Sequence, residues 1–382
     1  MKRIVLKSAA ISVIIAIIMA SLVVFFGCDK QEGQAIKVGA ILPLTGSVAQ
    51  YGTFWRQGLE LALDEAIKKG MIRPNEVKLV VEDGQADPKK SVDAFNKLSE
   101  VDRVVACVVG TSGVTLAIKP IANGKKIVLL NASAISTEIE DAPDYVFSVI
   151  PSAAYTAKFL AEMAYVKLGK RKAGILFRND ASGRSFEEYF TKRFKELGGI
   201  IVFEDTNEPN ATDFKENIAK IQAVKDMDVL FVASWGPEVA HYLRQAAELG
   251  VKKQVLAYET FNSPKVLEIA GFTANGVIFS APEFEANMEE PLSKEFRDKV
   301  MKKFNQQEVN YHIAGHYDAM MLVLEAIHNG NRTGEAIKNY LTGIKSFKGV
   351  TGNIQFDSNG AASVPLRLFT VNDGKFITWR VP

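Results

Sequence analysis

From Ile36 onward the chain repeats one unit: a short apolar strand, a turn of small and polar residues, then an amphipathic helix. Residues 36–42 read as a strand followed by Pro43-Leu44-Thr45-Gly46-Ser47. Trp55, Leu59, Ala62, Leu63 and Ala66 then recur at helical spacing up to a stop at Lys69-Gly70. Residues 77–81, 104–109 and 127–130 continue as strands, with helices over 88–98 and 114–122 between them. Strands that alternate with helices of this length form a parallel sheet with right-handed crossovers.

After residues 145–149 the pattern restarts near Ile150-Pro151. Helices are predicted over 155–168, 186–197, 214–224 and 238–249, and strands over 173–177, 200–203, 229–232 and 255–258. Past Pro282 the character changes to helices (294–304, 311–328, 334–341) and then to a β-rich tail over 349–354, 367–370 and 376–381. The late helices have no sheet of their own, so they are expected to return to the first lobe and the tail to the second. The expected fold class is α/β, with two doubly wound parallel-sheet lobes. Lobe 1 comprises 36–149 plus 283–349 and lobe 2 comprises 150–282 plus 350–382, so the chain crosses three times at a hinge.

Upstream lies an export address. Met1-Lys2-Arg3 and Lys7 precede an apolar run over 9–26, which ends in Gly27-Cys28-Asp29-Lys30. A basic start, an apolar core and a small residue before the break are the parts of a secretory signal. Cys28 directly after Gly27 resembles the lipobox of bacterial lipoproteins, where the thiol is acylated; Phe25 replaces the usual aliphatic residue. Residues 1–27 are then the signal, and 28–35 a linker from the lipidated cysteine. The run also approaches the ~20 residues that span a bilayer, so an uncleaved anchor stays open. Both readings export the folded part to the periplasm or cell surface, tied to the membrane.

The chain carries 46 basic and 44 acidic residues, and loss of Lys2, Arg3 and Lys7 with the signal leaves 43 against 44. Such a balance gives no electrostatic footprint for nucleic acid. Of two cysteines, Cys107 sits in the apolar run 104–109 and is expected to be a buried thiol. With no disulfide available, the fold must rest on large cores.

In open α/β sheets ligands bind outside the carboxyl ends of the strands. Those ends carry Leu44-Thr45-Gly46, Gly110-Thr111-Ser112-Gly113 and Asn131-Ala132-Ser133-Ala134 in the first lobe. The second offers Arg178-Asn179-Asp180-Ala181-Ser182, Ala233-Ser234-Trp235 and Glu259-Thr260-Phe261. The first set, with hydroxyls at helix starts, suits a carboxylate; the second adds the acid Glu259 and the aromatic Trp235. One anionic end, one cationic end and an apolar body describe an apolar α-amino acid. Taken singly, Ser112 and Ser133 also read as helix N-caps, Glu259 as a solvated loop residue, and Trp235 and Tyr51 as cleft-edge packing.

Residues 41–52, Ile-Leu-Pro-Leu-Thr-Gly-Ser-Val-Ala-Gln-Tyr-Gly, resemble the start of the branched-chain amino-acid-binding proteins of ABC transporters. Glu82-Asp83-Gly84 with Asp87-Pro88, the 110–113 turn, Gly236-Pro237-Glu238 with Leu243-Arg244-Gln245-Ala246, Tyr317-Asp318-Ala319, and Gly349-Val350-Thr351-Gly352 with Phe356-Asp357 extend the resemblance to about residue 376. The resemblance implies a type I periplasmic binding fold that closes on a small-molecule ligand and delivers it to an ABC permease, as a monomer. It also implies that Ser112 and the backbone around Ala134 hold a carboxylate, beside Ser133. Glu259 would pair with the ammonium, and Tyr51 and Trp235 would face the side chain. Ile135 stands where leucine-type binders carry a threonine, and Ser182 where they carry a tyrosine. An aromatic amino acid, or a carboxylic acid without an ammonium, therefore stays open, as does a sensory receptor without transport.

No enzyme is expected. Gly110-Thr111-Ser112-Gly113-Val114 is near a nucleophile elbow but lacks the second glycine at 114. His312 and His316 would share a helix face, but no Glu follows His312. They read as helix-surface or interlobe histidines, and no metal or cofactor is expected.

Overall fold

The computed structural model describes residues 34–140, 144–285, 290–306, 309–362 and 364–380. The signal, Cys28 and most of the 28–35 linker lie outside these residues. Among the described residues no helix is long and apolar enough to cross a membrane.

The first sheet contains β1 (Ile36–Leu42), β2 (Val77–Asp83), β3 (Ala106–Val109), β4 (Val128–Asn131) and β5 (Val146–Ser148) in the order β2-β1-β3-β4-β5, all parallel. The order reverses between β1 and β3, and such a switch point opens a crevice at the strand ends. The second sheet contains β6 (Lys172–Arg178), β7 (Ile200–Asn207), β8 (Val229–Ala233), β9 (Gln254–Ala257) and β10 (Ile278–Pro282), joined by β13 (Leu366–Asn372) and β14 (Lys375–Thr378). Its order is β14-β13-β10-β9-β8-β6-β7, with a second switch point between β6 and β8. β13 runs antiparallel to β10, and β14 antiparallel to β13. β11 (Phe347–Gly349) and β12 (Gly352–Ile354) form a separate hairpin.

The helices between these strands follow the expected pattern: α1 (Ala49–Lys68), α2 (Pro88–Lys97), α3 (Ser112–Lys125), α4 (Ala153–Glu162), α5 (Ala181–Glu196), α6 (Lys215–Ala223) and α7 (Gly236–Glu248). The stretch read as one helix over 155–168 is α4 running into a π-turn at Met163–Lys167. Two elements are not announced by the sequence pattern: β10 and the short helix α8 (Pro264–Ala270). α9 (Pro291–Phe304), α10 (Tyr311–His328) and α11 (Gly334–Gly343) complete the chain.

α10 is buried on nearly every face, as a helix apolar all round must be. It packs against α1 so closely that a Cβ on Gly58 would stand 2.3 Å from the Ile313 carbonyl oxygen. The polar atoms of this helix are tied down. Asp318, fully buried, accepts from Val350 N at 2.9 Å, Thr351 N at 2.9 Å and Thr351 Oγ1 at 2.6 Å. That carboxylate pins the β11–β12 hairpin to α10.

The three crossings run side by side. Ser148 N donates to the Gly360 carbonyl at 2.8 Å, and Ala362 N donates to the Ser148 carbonyl at 2.8 Å. Glu283 N donates to the Pro365 carbonyl at 2.8 Å. These contacts make a hinge of short strands joining two α/β lobes.

Candidate functional site

Both switch points open onto one cleft of ≈ 340 Å³, at the small end of the ~300–1,000 Å³ typical of ligand pockets. The first lobe contributes Tyr51 and Trp55 from α1, the 110–113 turn, Ser133 and Ile135 after β4, and His312 at the start of α10. The second contributes Arg178, Asp180, Ser182, Trp235, Glu259 and Thr260.

The lobes touch across this cleft. Tyr51 donates its hydroxyl to the Thr260 carbonyl at 2.7 Å, Ser263 donates to Gln50 Oε1 at 2.8 Å, and Ser47 donates to Asn210 Oδ1 at 2.7 Å. Burial, reinforced by the carboxylates of Glu238 and Glu259, pushes the Tyr51 phenol well up.

The first-lobe wall is built for an acceptor. Thr111 holds the N-cap position of α3, but its side chain makes no capping hydrogen bond. The first N–H groups of the helix thus keep their donors and the positive end of the dipole. Ser112, the first helical residue rather than the cap, accepts from Ile135 N and Ser136 N, both at 3.1 Å. Neither contact uses the hydroxyl proton, which is left for an acceptor in the cleft. Gly110 brings the turn against Trp55, since a Cβ there would meet the indole ring at 2.6 Å.

The second-lobe wall holds acids. Arg178 donates to Asp180 Oδ2 and to Glu238 Oε1, both at 2.6 Å, and its guanidinium lies 5.1 Å from the Trp235 ring. Ser182 donates to Asp180 Oδ1 at 2.7 Å. Glu259 differs: among the described residues no cation pairs with its side chain, and it is only 5% exposed. Burial pushes its carboxyl up to about 8, opposed only by a hydrogen bond from its own backbone.

Seven of the eight expected side chains therefore line one cleft: Tyr51, Ser112, Ser133, Ile135, Ser182, Trp235 and Glu259. Ala134 does not. Its N–H donates to Asn131 Oδ1 and its carbonyl accepts from Asn131 Nδ2, both at 2.6 Å, so this peptide is not available to a ligand carboxylate. Of the two positions expected for the histidines, the helix surface is corrected by their burial, while the interlobe position holds for His312, which lines the cleft. His312 is 2% exposed and His316 0%. His316 stacks on Trp55 at 4.7 Å and its Nδ1 donates to the His312 carbonyl at 2.7 Å. Burial pulls the imidazoles down to about 4 for His312 and about 3 for His316, so both are neutral near pH 7.

Sequence reasoning passed over Trp55, Thr111, Thr260 and His312 as site residues. Thr111 and Thr260 lie in the strand-end segments and were within reach of that rule. Trp55 and His312 sit on helices, which the rule does not cover.

A family model described as periplasmic binding protein matches residues 35–375. A leucine-, isoleucine-, valine-, threonine- and alanine-binding protein of Pseudomonas aeruginosa is 25% identical over 344 residues, covering 88% of this chain and 89% of that protein. Among solved structures, a leucine-binding protein of Thermotoga maritima superposes with a TM-score of 0.85 at 24% identity, over 91% of this chain and 98% of that one. A branched-chain amino-acid transporter substrate-binding protein of Streptococcus pneumoniae, solved with isoleucine, gives 0.83 at 27% identity over 90% and 97%.

Proposed function

The chain belongs to the periplasmic binding protein family, and from that premise we propose that its cleft captures an α-amino acid outside the cytoplasm and hands it to an ABC permease. The observation that carries this reading is Glu259, a buried carboxylate without a cationic partner among the described residues. It lines the same cleft as the uncapped N-terminus of α3 and the Ser112 hydroxyl. A buried carboxylate needs a cation to ionise, and a helix N-terminus favours an anion. One small molecule carrying both charges answers both walls. The names of the relatives, which bind leucine, isoleucine and valine, support the same class.

Ser112 and the α3 N-terminus are assigned to the ligand carboxylate, Glu259 to its ammonium, and Tyr51, Ile135 and Trp235 to its body. Ser133 and Ser182 complete the rim. The lobes are assigned as 36–149 with 283–349 and 150–282 with 350–382. The receptor works without catalysis, because capture and release need only closure and opening of the hinge. Cys28 is assigned as the acylated residue that tethers a monomeric receptor to the membrane. A fatty-acid label should then be incorporated by the wild type and not by Cys28→Ser, and an unlabelled wild type would reject the lipid anchor.

The test of capture is a thermal-shift screen of the signal-free protein with amino acids and with their deaminated analogues. A true ligand at 100 times its Kd stabilises the fold by about 2.7 kcal/mol. Shifts confined to α-amino acids support the reading, and shifts confined to acids without an ammonium overturn it.

A further inference from the structure

We propose that the favoured cargo is an α-amino acid whose tail carries an uncharged hydrogen-bonding group, a hydroxyl or an amide, received by His312 and Thr260. This inference rests on the amino-acid reading above and specifies the tail.

Buried polar atoms are nearly always paired in folded proteins. Among the described residues, four without a partner within hydrogen-bond distance belong to the lining of this cleft: Trp55 Nε1, Thr111 Oγ1, His312 Nε2 and Thr260 Oγ1, the last lying near the Tyr258 phenol. Thr111 sits beside Ser112 at the α3 N-terminus, where the ligand carboxylate is assigned. An ammonium on Glu259 would complete the head group. An aliphatic tail would then leave His312 Nε2 and Thr260 Oγ1 unpaired in a closed, dry site, which costs affinity.

These two residues flank Tyr51. Its ring centroid lies 5.0 Å from that of His312, edge to face, and its hydroxyl donates to the Thr260 carbonyl at 2.7 Å. Tyr51 also meets Trp235 edge to face at 5.3 Å, so it joins both residues to the aromatic body of the cleft. His312 is steadied on its other side by Ser133, whose Oγ lies 3.5 Å from Nδ1.

The groups in contact with His312, Ser133 and Tyr51, are neutral. Arg178 is committed to Asp180 and Glu238. Glu259, next to Thr260, is assigned to the ligand ammonium, so among the described residues a charged tail would find no free counter-ion beside it. An imidazole Nε2 and a hydroxyl together can serve either a donor or an acceptor, which fits a hydroxyl or an amide.

The experiment is calorimetric titration of the signal-free protein with two shape-matched pairs, threonine against valine and tyrosine against phenylalanine. In the wild type at least one hydroxyl member is expected to bind about tenfold tighter than its partner, the scale of one buried hydrogen bond. His312→Phe and, separately, Thr260→Val should erase most of that ratio, which is read within each variant whatever its affinity for the apolar member. Binding of valine and phenylalanine at least as tight as threonine and tyrosine would overturn the inference and leave the amino-acid reading standing. A wild-type preference that survives in both folded variants would overturn the assigned residues. No binding by any amino acid would overturn both readings together.

Discussion

At the residue scale, ligand binding turns on the protonation of Glu259. In the closed cleft burial raises its carboxyl to about 8, so below that pH it is mostly neutral. Pairing with a ligand ammonium requires the ionised form, and loading therefore expels a proton. The sign follows: affinity for an ammonium-bearing ligand should rise as pH increases from about 6 to 8, by up to tenfold per unit, and level off above. The groups that sense Glu259 most closely are Tyr51, Tyr258 and Tyr311, whose phenols burial holds neutral across this range. Calorimetry in buffers of different ionisation enthalpy checks this. Proton release below pH 8 is the expected outcome, and a flat pH profile would contradict it.

At the element scale, α10 connects the binding cleft to the hinge. His312 and His316 reach the cleft and its lining Trp55, while Asp318 holds the start of the third crossing. That placement depends on the close crossing of α1 over α10 at Gly58. Gly58→Ala inserts a methyl 2.3 Å from the Ile313 carbonyl oxygen and should cost about 1–3 kcal/mol, read as a lower urea midpoint. Wild-type stability in this variant would show that the helices part without cost.

Much of this architecture was legible from the apolar runs, because each strand boundary also marks a turn that can face a ligand. Ser112, Trp235 and Glu259 were found that way. What a run cannot reveal is which peptide groups the surrounding side chains consume. Asn131 closes on Ala134 from three residues away, and only the folded loop shows it. The choice between surface and interlobe for His312 stayed open in the sequence for a different reason. Its helix returns to the first lobe from late in the chain, so its neighbours Tyr51 and Ser133 are distant in sequence. A helix apolar all round nonetheless signals complete burial, and that cue pointed away from surface histidines.

At the scale of the whole molecule, two sheets with matching switch points and three adjacent crossings make a device with one moving joint. In the proposed reading, closure brings a carboxylate-receiving wall against an ammonium-receiving wall, and the contact of Tyr51 with Thr260 joins the two lobes. The central claim is that the ligand's ammonium is held by Glu259. The most direct test is a two-by-two cycle: wild type and Glu259→Gln, each titrated with one bound amino acid and its deaminated analogue. A charge-assisted hydrogen bond in a buried site is worth about 1.5–3 kcal/mol. The account therefore predicts a coupling of roughly 10- to 100-fold, lost when either partner is removed. Equal affinities across the Glu259→Gln substitution, for both ligands, would contradict it.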